Sequence, residues 1–408
     1  MKQGLQNCGK CGLCLSACPV YGILKEEQVS PRAKLQLIKS HDNKSLESTQ
    51  GLKEIVSRCL MCGSCAAACP AGIDHYSKFM EMRKQMVADH GESPAIKSMI
   101  YLLGREYRLK FGTGLAKTGQ KMIPDALARS FKLGNIPIKN FPTLNPKPFR
   151  TQQEVIVPAA GDPVGSVIYF TGCATNYLYE DAGKATIGVL QHMGYQVIIP
   201  EKQCCCSVPM LFHGAQDQAM SNIRANIEAL DPGDVEAIIV DCSTCGEALE
   251  NEYPKLMEQG DDHAAATQIA SKVTHIFSFV NDHMDLLTFD TAGDNPSTVT
   301  YHAPCHTRNN SQGHLAVESI LKQLPNTDYR PSPDRDQCCG GGGTFFYEHP
   351  QVAGEMMAQK LTSVRNMEVD YWVTDCPVCR LNLAGNLEPQ DTMQVVHPIT
   401  FLYNALKA

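Results

Sequence analysis

The apolar positions of this chain change period along its length. Four short runs of β-branched and other apolar residues recur in the C-terminal part: "GSVIYFTGC" from Gly165, "AIIVDCSTC" from Ala237, "STVTYHAPC" from Ser297 and "DYWVTDCPVC" from Asp370. Each has the length of a buried strand, and each ends on cysteine. Between them the apolar spacing lengthens to a helical period, as in "DAGKATIGVLQHMG" from Asp181 and "QVAGEMMAQKLTSVR" from Gln351. Strands alternating with helices predict parallel sheets with helices packed on them. Nearer the start, "SPRAKLQLIKS" and "LESTQGLKEIVSRC" read as helices, with Ser30 as N-cap and Pro31 at the first helical position. No run of about 18 apolar residues predicts a spanning helix. The opening "MKQGLQNCGK" has no apolar core of a secretory signal.

Composition adds compartment and metal. The 408 residues are 43% hydrophobic and 19% charged, which suits several folded domains. With no secretory signal, the expected location is a reducing cytoplasm, where disulfides rarely persist. The 19 cysteines therefore point to metal. Net charge is −7, which counts against a nucleic-acid partner. The charge is unevenly spread. Lys97 to Arg150 holds eleven Lys or Arg against Glu106 and Asp125, a net +9, so the remainder carries −16. This stretch is either a solvated basic linker or a docking surface for an acidic partner or anionic lipid.

Cys8, Cys11, Cys14 and Cys18 are spaced C-x2-C-x2-C-x3-C-P, and Cys59, Cys62, Cys65 and Cys69 repeat that spacing. This is the bacterial ferredoxin pattern for 4Fe–4S clusters, in which the fourth cysteine of each run serves the other cluster. The expected sets are Cys8, Cys11, Cys14 and Cys69 for one cluster, and Cys59, Cys62, Cys65 and Cys18 for the other. Zinc is the alternative, but zinc sites use more widely spaced pairs, often with histidine. The helical insert between the runs predicts an all-helical ferredoxin domain, an arrangement that resembles the iron–sulfur subunits of respiratory dehydrogenases.

The other eleven cysteines form two sets. Cys173, Cys205, Cys206, Cys242 and Cys245 are matched by Cys305, Cys338, Cys339, Cys376 and Cys379, at offsets of 132 to 134 residues. Offsets this close mean an internal duplication. Cys204 is surplus. In parallel sheets ligands bind beyond the carboxyl ends of the strands, where these cysteines stand, so one metal site per repeat is expected. Zinc, or a remnant without a cluster, is the alternative in each repeat. Ser207 stands where the second repeat has Gly340, which puts the local turn of the first repeat in question.

Each set reads as C, then C-C-G, then C-x-x-C, and resembles the cysteine-rich CCG domain of heterodisulfide reductase catalytic subunits. Behind a helical ferredoxin domain, the pair looks like the iron–sulfur subunit of glycolate or lactate (2-hydroxyacid) dehydrogenases and of anaerobic glycerol-3-phosphate dehydrogenase. "SPRAKLQLIKS", "CCGGGGTF", "TDCPVC" and "HPIT" are similar to the 2-hydroxyacid branch. The resemblance implies an α+β multidomain chain. Its parts are a helical ferredoxin domain (1–92), a basic linker or docking segment (93–160), and two duplicated α/β CCG repeats (161–290 and 291–408). It implies two 4Fe–4S clusters in the first domain, and one or two further clusters, of a non-cubane 4Fe–4S type held by five thiolates, in the repeats. It also implies a partner, an FAD-containing 2-hydroxyacid dehydrogenase subunit, and a membrane- or quinone-linked acceptor, with the inner face of the cell membrane as an alternative location.

Other signals are weaker. "CCGGGGTF" does not open a helix in the G-x-G-x-x-G register, and no P-loop is present, so neither flavin nor nucleotide binding is expected of this chain. His302 and His306 flank Cys305 and are expected to hydrogen-bond to sulfur or backbone, with ligation as the rarer alternative. His397 reads as structural, His213 receives no role, and the scattered methionines read as core filling. The leading expectation is an electron-transfer subunit. The alternatives are a reductase that acts on a disulfide or quinone at a CCG cluster, and a redox sensor, for which no regulatory element is found.

Overall fold

A computed structural model describes residues 7–124, 128, 130–257, 260–290, 296–311 and 313–406. The first six residues of the opening segment, and Asp125 and Arg129 of the basic stretch, lie outside these.

The described residues up to 103 contain helices and no strand. Ser30 caps Pro31–Asp42 as expected, its Oγ accepting the Ala33 N–H at 3.0 Å. The second predicted helix is shorter than its apolar pattern. It runs Gln50–Ser57, because Thr49 Oγ1 accepts the Leu52 N–H at 3.2 Å and sets the start there. The apolar faces of these helices (Leu35, Ile38, Leu52, Val56) and of His75–His90 (Phe79, Met82, Met86) merge into one core. The basic stretch is built rather than extended. It forms the helices Pro94–Leu103 and Glu106–Met122 and a hairpin of β1 (Lys132–Leu133) and β2 (Ile136–Pro137).

The repeats fold as the pattern predicts. The first sheet has the order β3-β5-β4-β6-β7, from Ile156–Val157 (β3), Gly165–Phe170 (β4), Tyr195–Ile198 (β5), Ala237–Val240 (β6) and Val273–His275 (β7); only β3 is antiparallel. The second has the order β9-β8-β10-β11, from Ser297–Tyr301 (β8), Thr327–Tyr329 (β9), Tyr371–Val373 (β10) and Gln394–Val396 (β11), all parallel. Leaving β3 aside, each repeat orders its strands second, first, third, fourth, so the duplication extends to topology. The predicted helices are Glu180–His192 and Pro350–Arg365.

The repeats share one core, in which Tyr169, Leu190 and Phe277 of the first lie with Tyr301, Val317 and Leu402 of the second. Polar links across it are reciprocal. Asp241 accepts the Tyr169 hydroxyl at 2.5 Å and Thr175 Oγ1 at 3.0 Å; Asp375 accepts Tyr301 and Thr307 Oγ1, both at 2.7 Å. His397, at the end of β11, then places Nε2 2.8 Å from the Asp241 carbonyl, while His275, at the end of β7, places Nε2 3.3 Å from the Asp375 carboxylate. His397 is thus structural, as read.

The helical domain is fastened to both repeats. Arg83 donates to the carbonyls of Ser57 at 2.8 Å, Cys59 at 2.6 Å and, in the first repeat, Phe212 at 2.7 Å. From the second repeat, Asn309 donates to the Cys62 carbonyl at 2.8 Å, and His306 Nε2 lies 3.2 Å from that of Met61.

Candidate metal centres

The two ferredoxin-type runs fold as twins. In each, the residue before the second cysteine and the glycine after it both take positive φ: Lys10 (52°) and Gly12 (86°), Met61 (53°) and Gly63 (74°). The left-handed pair coils the loop so that a one-turn helix, Leu13–Ser16 or Ser64–Ala67, presents the third cysteine inward. Pro19 then starts Pro19–Leu24 and turns the fourth cysteine away, with Cys18 Sγ accepting the Tyr21 N–H at 3.5 Å.

The thiols gather across the runs. Cys14 is pushed up in pKa by burial and by the nearby thiols of Cys8, Cys11 and Cys69. Burial pushes Cys18 up to about 11, with Cys59 and Cys62 adding to the shift. Cys65 is raised in the same way, and its neighbours include both Cys18 and Cys14, so the two gatherings adjoin. Lys34 is buried beside Cys59 and Cys18, its ammonium donating to the carbonyls of Val29 at 3.0 Å and Arg58 at 2.6 Å.

In the first repeat, Cys173 meets Cys205, Cys205 meets Cys206, Cys206 meets Cys245, and Cys245 meets Cys242. Donation from Cys205 and Cys245 holds the Cys206 thiol down at about 6 despite burial. Gly172 must approach closely here, since a Cβ on it would stand 2.9 Å from Cys245 Sγ. Cys204 turns away from the set, with Sγ 3.5 Å from both the Asn222 carbonyl and Asn226 Oδ1. The turn at Ser207 survives the missing glycine. Its φ is 75°, against 79° at Gly340, and its Oγ donates to the Ala219 carbonyl at 3.3 Å.

In the second repeat, Cys338, Cys339, Cys379 and Cys376 adjoin in the same order, and Cys305 lies near Cys339, Cys376 and Cys62 of the helical domain. His302 departs from the duplication, because Phe170 holds its place in the first repeat. His302, Cys339 and Cys379 bring ligand atoms within 4.8 Å of one another. His306 faces the helical domain instead.

Sequence reading expected a separate site in each repeat. In the folded chain both sets, all members but Cys205, line one cavity of about 180 Å³, which Cys62 and Leu60 of the helical domain also line. Periodicity within a repeat carries no information about how two repeats face. The donors fit a soft metal cluster: ten thiols crowd together, seven of them buried, and such thiols gain when an electron-poor metal takes up the thiolates. Both ring nitrogens of His302 are buried there without an oxygen or nitrogen partner, as expected of a group facing a cluster.

Fold and site together define an iron–sulfur protein in which a helical dicluster domain is joined to a duplicated cysteine-rich α/β unit. Comparison with known proteins agrees. Residues 4–73 match the 4Fe–4S dicluster domain family, and residues 167–250 and 299–384 match the cysteine-rich CCG domain family. The chain is 26% identical to the probable glycolate oxidase iron–sulfur subunit of Bacillus subtilis (strain 168), over 94% of this chain and 89% of that protein. It is 28% identical to lactate utilization protein A of Geobacillus sp. (strain WCH70), over 57% of this chain and 96% of that protein. It is 23% identical to one of the subunits of the dihydromethanophenazine:CoB--CoM heterodisulfide reductase of Methanosarcina barkeri (strain Fusaro / DSM 804), over 97% of this chain and 92% of that protein. The chain is a homologue of the glycolate oxidase iron–sulfur subunits and of the CCG-domain proteins related to heterodisulfide reductase.

Proposed function

We propose that the chain is the electron-transfer subunit of a 2-hydroxyacid dehydrogenase complex. An FAD-containing partner oxidises lactate or glycolate, and the electrons leave this subunit toward a quinone or another acceptor. Cys8, Cys11, Cys14 and Cys69 would hold one 4Fe–4S cluster, and Cys59, Cys62, Cys65 and Cys18 the second. Cys173, Cys205, Cys206, Cys242 and Cys245, and their counterparts Cys305, Cys338, Cys339, Cys376 and Cys379, would hold one cluster each. When bound, such clusters supply reversible one-electron transfer.

The observation that carries the reading is the unbroken order of the thiols. Cys11 is exposed, Cys14 neighbours Cys65, Cys62 neighbours Cys305, and the second repeat's set faces the first's across the cavity. The residues between them exclude water and hold the sets in place: Leu60 and Phe212 line the cavity, and the Tyr21, Met61 and Gly340 N–H groups donate to Cys18, Cys59 and Cys338. Such donations are among the means by which a protein sets cluster potential. The purified chain, with its iron, is expected to show no lactate- or glycolate-dependent dye reduction until the flavoprotein is added. Substrate-dependent reduction by the chain alone would exclude the relay.

One observation favours a second reading. The two sets of thiols face one another across an apolar space, the side from which a disulfide or a quinone would meet a bound cluster. Disulfide reduction by the isolated, chemically reduced chain would establish it over a pure relay.

A further inference from the structure

The helix Glu106–Met122 buries none of its seventeen residues. Tyr107, Phe111, Leu115 and Met122 are 67%, 68%, 60% and 75% exposed. Their spacing of four, four and seven puts them on one stripe of the helix. Tyr101, 60% exposed on the preceding helix, extends the patch, because the Arg108 guanidinium lies 4.0 Å over its ring and 5.5 Å from that of Tyr107. Exposed large apolar side chains so arranged mark an interaction surface.

Among the described residues, the exposed charges around the stripe are of one sign. Arg105, Lys110 and Lys121 are exposed, whereas the Lys117 ammonium donates to the Pro146 carbonyl. The helix's single carboxylate, Glu106, is engaged by Arg150, Tyr177 and Asn176. Beside the helix opens a groove of about 800 Å³ in which Lys84, Lys97, Arg105 and Arg108 outnumber Glu92 and Asp217. Among the described residues no helix is long and apolar enough to cross a membrane. An apolar stripe with aromatic rings, flanked by lysines and bare of free carboxylate, is the composition of a helix that lies in a bilayer interface.

We propose that Glu106–Met122 lies flat on an anionic lipid surface. Tyr107, Phe111, Leu115 and Met122 enter the boundary between headgroups and acyl chains, and Lys110 and Lys121 rest on lipid phosphates. This holds the chain at a membrane by an interfacial helix, and it is independent of which donor feeds the thiol sets.

The test is co-sedimentation of the full, iron-loaded chain with vesicles of phosphatidylcholine alone or mixed with phosphatidylglycerol. Binding at least tenfold tighter to the mixed vesicles is expected, weakening as salt is raised. Lys110→Glu with Lys121→Glu, and separately Phe111→Glu with Leu115→Glu, should each lower it at least tenfold, with iron content and melting temperature unchanged because these side chains are exposed. Equal affinity for both vesicle types, or either double variant binding like the parent, would overturn the proposal. So would a loss of flavoprotein binding in the same variants with no vesicle binding by the parent, since the patch would then serve a protein. Electron transfer from the flavoprotein in vesicle-free solution reads the relay separately.

Discussion

At the scale of residues, the two repeats show how one backbone requirement can be met at different cost. Ser207 and Gly340 hold the same left-handed turn, but the space around them differs. A Cβ on Gly340 would come within 2.8 Å of the Ala353 carbonyl oxygen, whereas Ser207 already carries one, with its hydroxyl satisfied. We expect Ser207→Gly to change stability by less than about 1 kcal/mol, as relief of strain offsets a lost hydrogen bond and a more flexible unfolded chain. Gly340→Ser should cost about 2–3 kcal/mol from strain and collision. Anaerobic thermal unfolding of the two variants checks this, and equal effects would contradict the packing difference. The offset between the repeats marked Cys204 as surplus but gave it no role. In the folded chain Asn226 Oδ1 accepts the Cys204 N–H at 2.8 Å, and the Cys204 thiol lies against the same amide.

At the scale of elements, most of the pattern was legible. Strands that end on cysteine, helices of 3.6 period and the Ser30 cap all lie where local physics put them, because each depends on neighbours in sequence. The bounds that slipped did so where a cap competed with an apolar run, as at Thr49. The basic stretch was read only as charge. Counting could not tell that Arg150 would be buried against Glu106 and the Thr171 hydroxyl while Lys110 and Lys121 stayed outside. The crossing of the two cysteine runs belongs to this scale as well. Cys18→Ser should remove the same spectroscopic signal as Cys65→Ser, and a different one from Cys8→Ser, when single variants are compared by low-temperature paramagnetic resonance. Loss of one common signal in Cys18→Ser and Cys8→Ser would refute the crossed assignment.

At the scale of the whole molecule, three parts of the chain meet at a polar joint. Glu92 takes the Ser93 N–H at 2.8 Å, with Lys53 and His213 each 3.5 Å away; His213 Nε2 lies 2.6 Å from Thr344 Oγ1, which donates to Glu348 at 2.7 Å. His213, given no role from sequence, thus ties the first repeat to both neighbours. Burial alone would raise the Glu92 pKa; hydrogen bonds from His213 and Ser93 and the charge of Lys53 overcome it and hold the carboxyl at about 2, below its ordinary 4.5. A depressed carboxyl stabilises the fold above the unfolded value and loses that contribution as pH falls from 4.5 toward 2. Glu92→Gln should therefore unfold more easily at pH 7, by about 2 kcal/mol, with the gap to the parent narrowing below pH 4.5. A gap that does not vary between pH 7 and 3.5 would show that the carboxylate is not its source.

What the sequence determined by itself was the chemistry and the local form. Thiol spacing named the metal type, the offset of 132 to 134 residues revealed the duplication, and the apolar period placed strands and helices, because all three are written in short-range order. Tertiary structure alone decided how the parts face one another. It set Cys62 beside Cys305, turned the thiols of both repeats toward one cavity, and tied the repeats together through His397. Those choices rest on shape and burial between surfaces more than a hundred residues apart, where many pairings share one apolar pattern and only packing selects among them.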